Sequence, residues 1–262
     1  LALKTIAAAQ KRGEICAFFD LEGTFCPEWA KTLGVDVDKL IIGGRIEESS
    51  NKAIATAEDL VKSGKCGLLV IDSVAAMIPD NDQEKTMEDD ETLGRRAMMG
   101  NRLARRMPSA LKSNPDPGKQ CVVLLINQIR ETFKAFGDPV VTPGGHGIKH
   151  GASIRIRLWR GDLIRIGTDK PPIGIEVKFK VVKNKVYIPF REGTFAFYFD
   201  DGAGMKQGDI DNVTSLIYYG RIAGLIKEGE KKTLSFDEGK KWLKFSEAWE
   251  MLSGDSKIRK KL

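Results

Sequence analysis

Three places in the chain put polar groups directly after apolar, strand-like runs. Ile15 to Asp20 runs into Leu21-Glu22, Leu68 to Ile71 into Asp72-Ser73, and Val122 to Ile126 into Asn127-Gln128. Strands of a parallel sheet deliver such residues to its carboxyl edge, where open α/β folds keep their ligands. There, one carboxylate can orient an attacking water, a second can hold the water shell of a magnesium ion, and an amide can sense a terminal phosphate. Any one of the three taken alone reads as readily as a capping or turn residue. Their recurrence at one edge favours the chemical reading.

The elements that must position these groups alternate through the first half of the chain. Helical patterns at Leu1 to Arg12, Pro27 to Leu33, Asn51 to Lys62 and Thr92 to Lys112 are interleaved with strand runs at Ile15 to Asp20, Leu40 to Ile42, Leu68 to Ile71 and Val122 to Ile126. That order predicts βαβ units, and nearly all-apolar strands predict a parallel sheet covered on both faces. From Ser153 onward strand candidates follow one another directly: Ile154 to Leu158, Leu163 to Ile166, Gly174 to Val182, Val186 to Pro189 and Thr194 to Tyr198. They predict an antiparallel extension of the same sheet. Helices expected over Asp211 to Ile226 and Phe245 to Leu252 close a small α+β C-terminal domain, so the predicted division is 1–200 and 201–262. Two stretches, Pro79 to Thr92 and Arg130 to Gly147, resist assignment; loops of that length are functional or disordered. Both follow strands of the expected parallel sheet and so emerge on its ligand side.

Composition narrows the classes. No apolar run approaches the roughly 18 residues needed to span a bilayer, and Leu1 to Gln10 reads as helix rather than as a signal peptide. Four cysteines, Cys16, Cys26, Cys66 and Cys121, lie far apart with no C-x-x-C pair, which fits reduced thiols of a cytoplasmic protein better than disulfides or zinc. A net charge of +6 permits nucleic-acid binding without requiring it. His146 and His150 have no third ligand nearby and do not make a metal site. The phosphate-cradling pattern G-x-x-x-x-G-K-[ST] occurs nowhere: Ser63-Gly64-Lys65-Cys66 lacks the first glycine and the hydroxyl, and it precedes a strand.

Six segments in order carry a resemblance: Cys16-Ala-Phe-Phe-Asp-Leu-Glu, Leu33-Gly-Val-Asp-Val-Asp-Lys-Leu, Val70-Ile-Asp-Ser-Val-Ala-Ala, Leu125-Ile-Asn-Gln-Ile-Arg, Gly144-Gly-His-Gly-Ile-Lys and Lys180-Val-Val-Lys-Asn-Lys. Together they resemble the RecA family of homologous-recombination ATPases from Leu1 to about Phe199, with the match weakening beyond. The resemblance implies a RecA-like P-loop NTPase core, with a P-loop expected just upstream of Leu1 and an oligomerisation helix and strand before that. It implies Glu22 as the residue that activates the hydrolytic water, Asp72 and Ser73 as the Walker B pair with Asp72 holding Mg2+ through water, and Gln128 as γ-phosphate sensor. Trp29 and Phe199 match aromatic groups against the adenine of ATP. Lys183 and Lys185 match a pair that reaches the phosphates of a neighbouring subunit, and at i and i+2 they are expected on one face of a strand. By itself that strand reads as an exposed basic one.

The two unassigned stretches match the family's DNA-binding loops. The implied contacts are Arg95, Arg96, Arg105, Arg130, Lys134, Gly144, Gly145 and His146, cations for phosphates and glycines for close backbone approach. Phe133 and Phe136 are stacking candidates, or pack back on the domain. Met98 stands where the commonest bacterial members carry arginine, the second loop is one residue shorter, and His150 replaces an aromatic residue. The function implied is a DNA-dependent ATPase that forms helical filaments on single-stranded DNA and exchanges strands with homologous double-stranded DNA. A RecA-fold DNA motor or helicase, and an inactive filament-accessory paralogue, are the alternatives.

Overall fold

The computed structural model describes residues 1–44, 49–77, 91–114, 116, 118, 120–131, 140–141 and 145–254; the side chains at 91–97, 130, 131, 140, 141 and 232 are not described. Its contacts divide the chain into two units, Leu1–Ser153 and Ile154–Leu262. The first ends well before the boundary predicted at 200.

In the first unit, α1 (Ala2–Gln10), α2 (Pro27–Thr32), α3 (Ser50–Lys62), α4 (Glu91–Lys112) and α5 (Gly145–Gly151) accompany the strands β1 (Ile15–Asp20), β2 (Leu40–Gly43), β3 (Cys66–Asp72) and β4 (Val122–Leu125). The four strands form one parallel sheet in the order β2-β1-β3-β4. Alternation along β1 and β3 explains why both faces are apolar. Cys16, Phe18, Leu68 and Val70 turn to one side and pack with Ile6, Ala7 and Ala9 of α1. Ala17, Phe19, Leu69 and Ile71 turn to the other and pack with Ala53, Ile54 and Ala57 of α3 and Leu103 and Met107 of α4. Every one of these residues is buried. The expected helices and strands of this half are present with ends moved by a residue or two. The Ser49 hydroxyl caps α3 by accepting from the Lys52 N–H at 3.3 Å. Within the second unassigned stretch, β5 (Arg130–Glu131) and β6 (Val140–Val141) pair antiparallel, and α5 begins at Gly145.

The second unit holds β7 (Ile154–Ile164), β8 (Gly174–Asn184) and β9 (Glu192–Tyr198) in a separate antiparallel sheet, not an extension of the parallel one. The two strands expected at Ile154 to Leu158 and Leu163 to Ile166 are one. A register shift between Arg160 and Leu163 absorbs the interruption, and a Cβ at Gly161 would stand 2.8 Å from the carbonyl of Glu176, so only glycine lets the strand run on. Val186 to Pro189 is not a strand. The Asn184 side chain accepts from the N–H groups of Val186 and Tyr187 at 2.9 and 3.0 Å and turns the chain out of β8. Beyond β9, α6 (Asn212–Ile222), the short pair β10 (Lys227–Glu228) and β11 (Leu234–Ser235), and α7 (Phe245–Gly254) enclose Val213, Ile217, Ile226, Leu234, Ala248 and Leu252. Asp211 caps α6 through the Thr214 N–H and also accepts from Trp249 Nε1, tying α7 to the start of α6.

Candidate active site

Strands β1 and β3 end in step, with Asp20 opposite Asp72, and β4 carries the chain on to Asn127 and Gln128 at the same edge. Main-chain bonds fix the three exits to one another. Leu21 N–H donates to the Asp72 carbonyl at 2.7 Å, Ile126 N–H to the Ile71 carbonyl at 3.0 Å, and Val74 N–H to the Ile126 carbonyl at 2.9 Å. On this platform the side chains meet. The hydroxyl of Ser73, 1% exposed, donates to Glu22 Oε1, and Gln128 Nε2 donates to the same oxygen at 3.3 Å. Glu22 and Gln128 are otherwise open to solvent. The peptide joining Asp72 to Ser73 is cis.

Three carboxylates crowd this edge. Half-burial raises the Asp72 carboxyl above the usual range, and the neighbouring charges of Glu22 and Asp20 push it the same way. Asp20 is buried, and its two oxygens accept from the N–H groups of Thr24 at 3.1 Å and Phe25 at 2.8 Å. Carboxylate and hydroxyl oxygens are the hard ligands a divalent cation takes, while among the described residues no three Asp, Glu, His or Cys side chains converge to hold a metal by themselves. Asp72 and Ser73 are the groups at this edge that could hold such a cation.

The other expected residues fall in several places. Trp29 is half-buried on α2, just past the Glu22 loop. Arg105 is exposed on α4, and Arg95 and Arg96 lie in its first turns, where side chains are not described. Arg130 lies in β5, likewise without a described side chain, and Lys134 and Gly144 fall outside the described residues. Gly145 and the exposed His146 open α5. Gly147 of α5 donates its N–H to Asn101 Oδ1 of α4 at 2.7 Å, so the helices that follow the two unassigned stretches are bonded to each other.

In the second unit, Lys183 lies in β8 but Lys185 is past its end, so the two do not share a strand face; the Asn184 turn is the reason. They are still close: burial lowers the Lys183 ammonium, and the charges of Lys185 and Arg155 lower it further. Arg155 stands directly across from Lys183 in β7, Arg157 across from Lys180 and Trp159 across from Lys178. Phe199 follows β9, half-buried, its N–H bonded to the Ile173 carbonyl. Asp20, Asn101 and Arg155 were not singled out by sequence. For Asp20 a local signal existed, an aspartate followed within five residues by the turn-forming Glu-Gly-Thr.

Residues 1–204 match the family model of the RecA N-terminal domain. The chain belongs to the RecA family. Curated relatives agree: Protein RecA of Clostridium acetobutylicum is 36% identical over 81% of this chain and 58% of its own length. Protein RecA of Clostridioides difficile is 38% identical over 82% of the chain and 59% of its own length, and that of Mannheimia haemolytica 34% over 93% and 64%. The chain thus spans about three fifths of the RecA proteins it matches. A crystal structure of the RadB recombinase covers 74% of the chain, with a TM-score of 0.45 at 18% identity, too distant to add to that assignment. Among the described residues, no helix is long and apolar enough to cross a membrane.

Proposed function

We propose that this RecA-family chain provides the hydrolytic edge and DNA-contacting segments of an ATP-dependent recombinase. Its action is to assemble on single-stranded DNA as a helical homo-oligomer, pair that strand with homologous duplex and exchange strands, in the cytoplasm. The observation that supports this most is the Glu22–Ser73–Gln128 chain of hydrogen bonds beside Asp72 at the carboxyl edge of the parallel sheet. Glu22 is the base that orients and deprotonates the attacking water. Ser73 holds one carboxylate oxygen of Glu22, leaving the other for water. Gln128 bonds Glu22 and exits β4 toward the second unassigned segment, so a change in its partner is passed to that segment. Lys183 and Lys185 neutralise phosphates of ATP bound to a neighbouring subunit, which makes turnover depend on assembly. Residues 1–200 act as the ATPase core and 201–262 as an accessory domain.

The reading requires a phosphate-binding loop, and the pattern G-x-x-x-x-G-K-[ST] does not occur in these 262 residues. The decisive test is Glu22→Gln in the full-length protein. ATP-dependent DNA binding is expected to persist while kcat falls by about 10²- to 10⁴-fold, the range for losing a general base. Unchanged turnover removes Glu22 from the role. Unwinding without homology-dependent joint molecules would instead favour a DNA motor.

A further inference from the structure

Resting on that reading, we infer that Asp20 is a positioning residue for the reaction, holding the loop that carries Glu22 in the orientation required for water attack. Asp20 ends β1, and the next five residues turn back over it. Its Oδ1 accepts from Thr24 N–H at 3.1 Å and its Oδ2 from Phe25 N–H at 2.8 Å, so both oxygens are committed to the loop. At the other end of the loop, Leu21 N–H is bonded to the carbonyl of Asp72. The Phe25 ring packs on Phe18 of β1 with centroids 5.3 Å apart, sealing the closure from below. Glu22 and Gly23 are the residues left between these anchors, and Gly23 takes φ +69°, a conformation that lets the loop reverse.

The type of residue is informative. Asp20 is buried beside Asp72 and near Glu22, and no ion pair reaches it among the described residues. For stability alone an asparagine would avoid like-charge neighbours, which cost energy in a partly buried setting. Asparagine, however, presents one acceptor oxygen where the loop offers two N–H donors, and its amide would face the second donor. A carboxylate is the side chain that accepts from both N–H groups of this turn at once. A loop held by one bond instead of two lets Glu22 move, and displacement on the order of 1 Å at a reacting group costs about a hundredfold in rate.

The test is a double-mutant cycle in the full-length protein, measuring DNA-stimulated ATP hydrolysis at saturating ATP. Asp20→Asn and Asp20→Ala are expected to lower kcat by roughly tenfold and roughly a hundredfold, with KM for ATP and ATP-dependent DNA binding within about threefold of the parent. Placed on Glu22→Gln, either change is expected to add less than about twofold, because Asp20 acts through Glu22. A further loss multiplied onto Glu22→Gln overturns the inference, as does full kcat in both single variants. A purely structural defect would give that multiplied loss. Asp20→Asn keeps the shape of the side chain, so it carries the cycle even where Asp20→Ala lowers the melting temperature. Glu22→Gln with full turnover would refute the hydrolytic reading itself, a result separate from either outcome at Asp20.

Discussion

Helix α5 lies so close to α4 that one added methyl group should be felt. A Cβ at Gly147 would stand 2.9 Å from the Cα of Asn101, and one at Gly151 3.2 Å from the carbonyl of Ala104. Ala104 is four residues before Pro108, which has no N–H to donate to that carbonyl, so α4 leaves room for α5 at that turn. Gly147→Ala must move the Asn101 backbone as well as its side chain, at about 1 to 3 kcal/mol for overpacking. It also disturbs the Gly147 N–H bond to Asn101 Oδ1, worth about 1 kcal/mol, while alanine's better helix propensity returns about 1 kcal/mol. The net expectation is about 1 to 3 kcal/mol, or roughly 3 to 10 °C in melting temperature for a unit of this size. Thermal and denaturant unfolding followed by circular dichroism read it directly. Asn101→Ala alone should cost about 1 kcal/mol, and it should rescue Gly147→Ala only in part, because the Cα stays where it was. Gly147→Ala within 0.5 kcal/mol of the parent, or full rescue by Asn101→Ala, would refute the close backbone packing. Because α4 and α5 follow the two candidate DNA segments, the same variant is expected to weaken single-stranded DNA binding.

Two further expectations concern pairs and thiols. Glu58 of α3 is buried and bonded to Arg106 Nε of α4 and to Lys62 Nζ at 2.6 Å, and these bonds hold its carboxyl below the usual carboxylate range. A depressed native value contributes stability that is present above the unfolded value of about 4.3 and is lost as pH falls through the native one. Glu58→Gln should therefore flatten the acid limb of the stability profile and cost about 1 kcal/mol near pH 7, since both cations are partly exposed; an unchanged acid limb would refute this. Cys16 is fully buried, and that burial pushes its thiol up to about 11. Stability tied to its neutral form is present below about pH 8.5 and lost as pH rises toward 11, at up to about 1.4 kcal/mol per unit, a slope that Cys16→Ala should reduce. With Cys66 and Cys121 also buried, a thiol reagent at pH 8 should modify Cys26 quickly and the other three only on unfolding; a second fast thiol would contradict the packing.

What could be seen in the sequence follows the range of the interactions involved. Strands β1 and β3 are short apolar runs whose alternate residues both need burial, so their type and their acidic ends are visible one strand at a time. The chain of bonds from Ser73 and Gln128 to Glu22 spans 51 and 106 residues, so it follows only from the strand order. Lys185 shows the opposite case. Val186, Tyr187 and Ile188 have strand-forming side chains, yet one asparagine, bonding two N–H groups ahead of it, ends β8 before them. The single long β7 was hidden for a related reason: Gly161 and Asp162 look like a turn, and only the approach of the Glu176 carbonyl explains a glycine inside a strand.

Charge placement gives the functional reading its physical sense. The first unit gathers Asp20, Glu22 and Asp72 at one sheet edge, and the second places Arg155 against Lys183 and Arg157 against Lys180 across the β7–β8 pair. Like charges directly across a strand pair destabilise a sheet, and the charges of Glu22 and Asp20 add to burial in raising the Asp72 carboxyl, so folding by itself rewards neither arrangement. Partial relief exists: Glu192 lies 3.1 Å from Lys180, and Glu176 3.8 Å from Lys178. Under the proposed function each cluster is a place where charge of opposite sign would offset that cost, a cation at the carboxylates and phosphates at the basic residues.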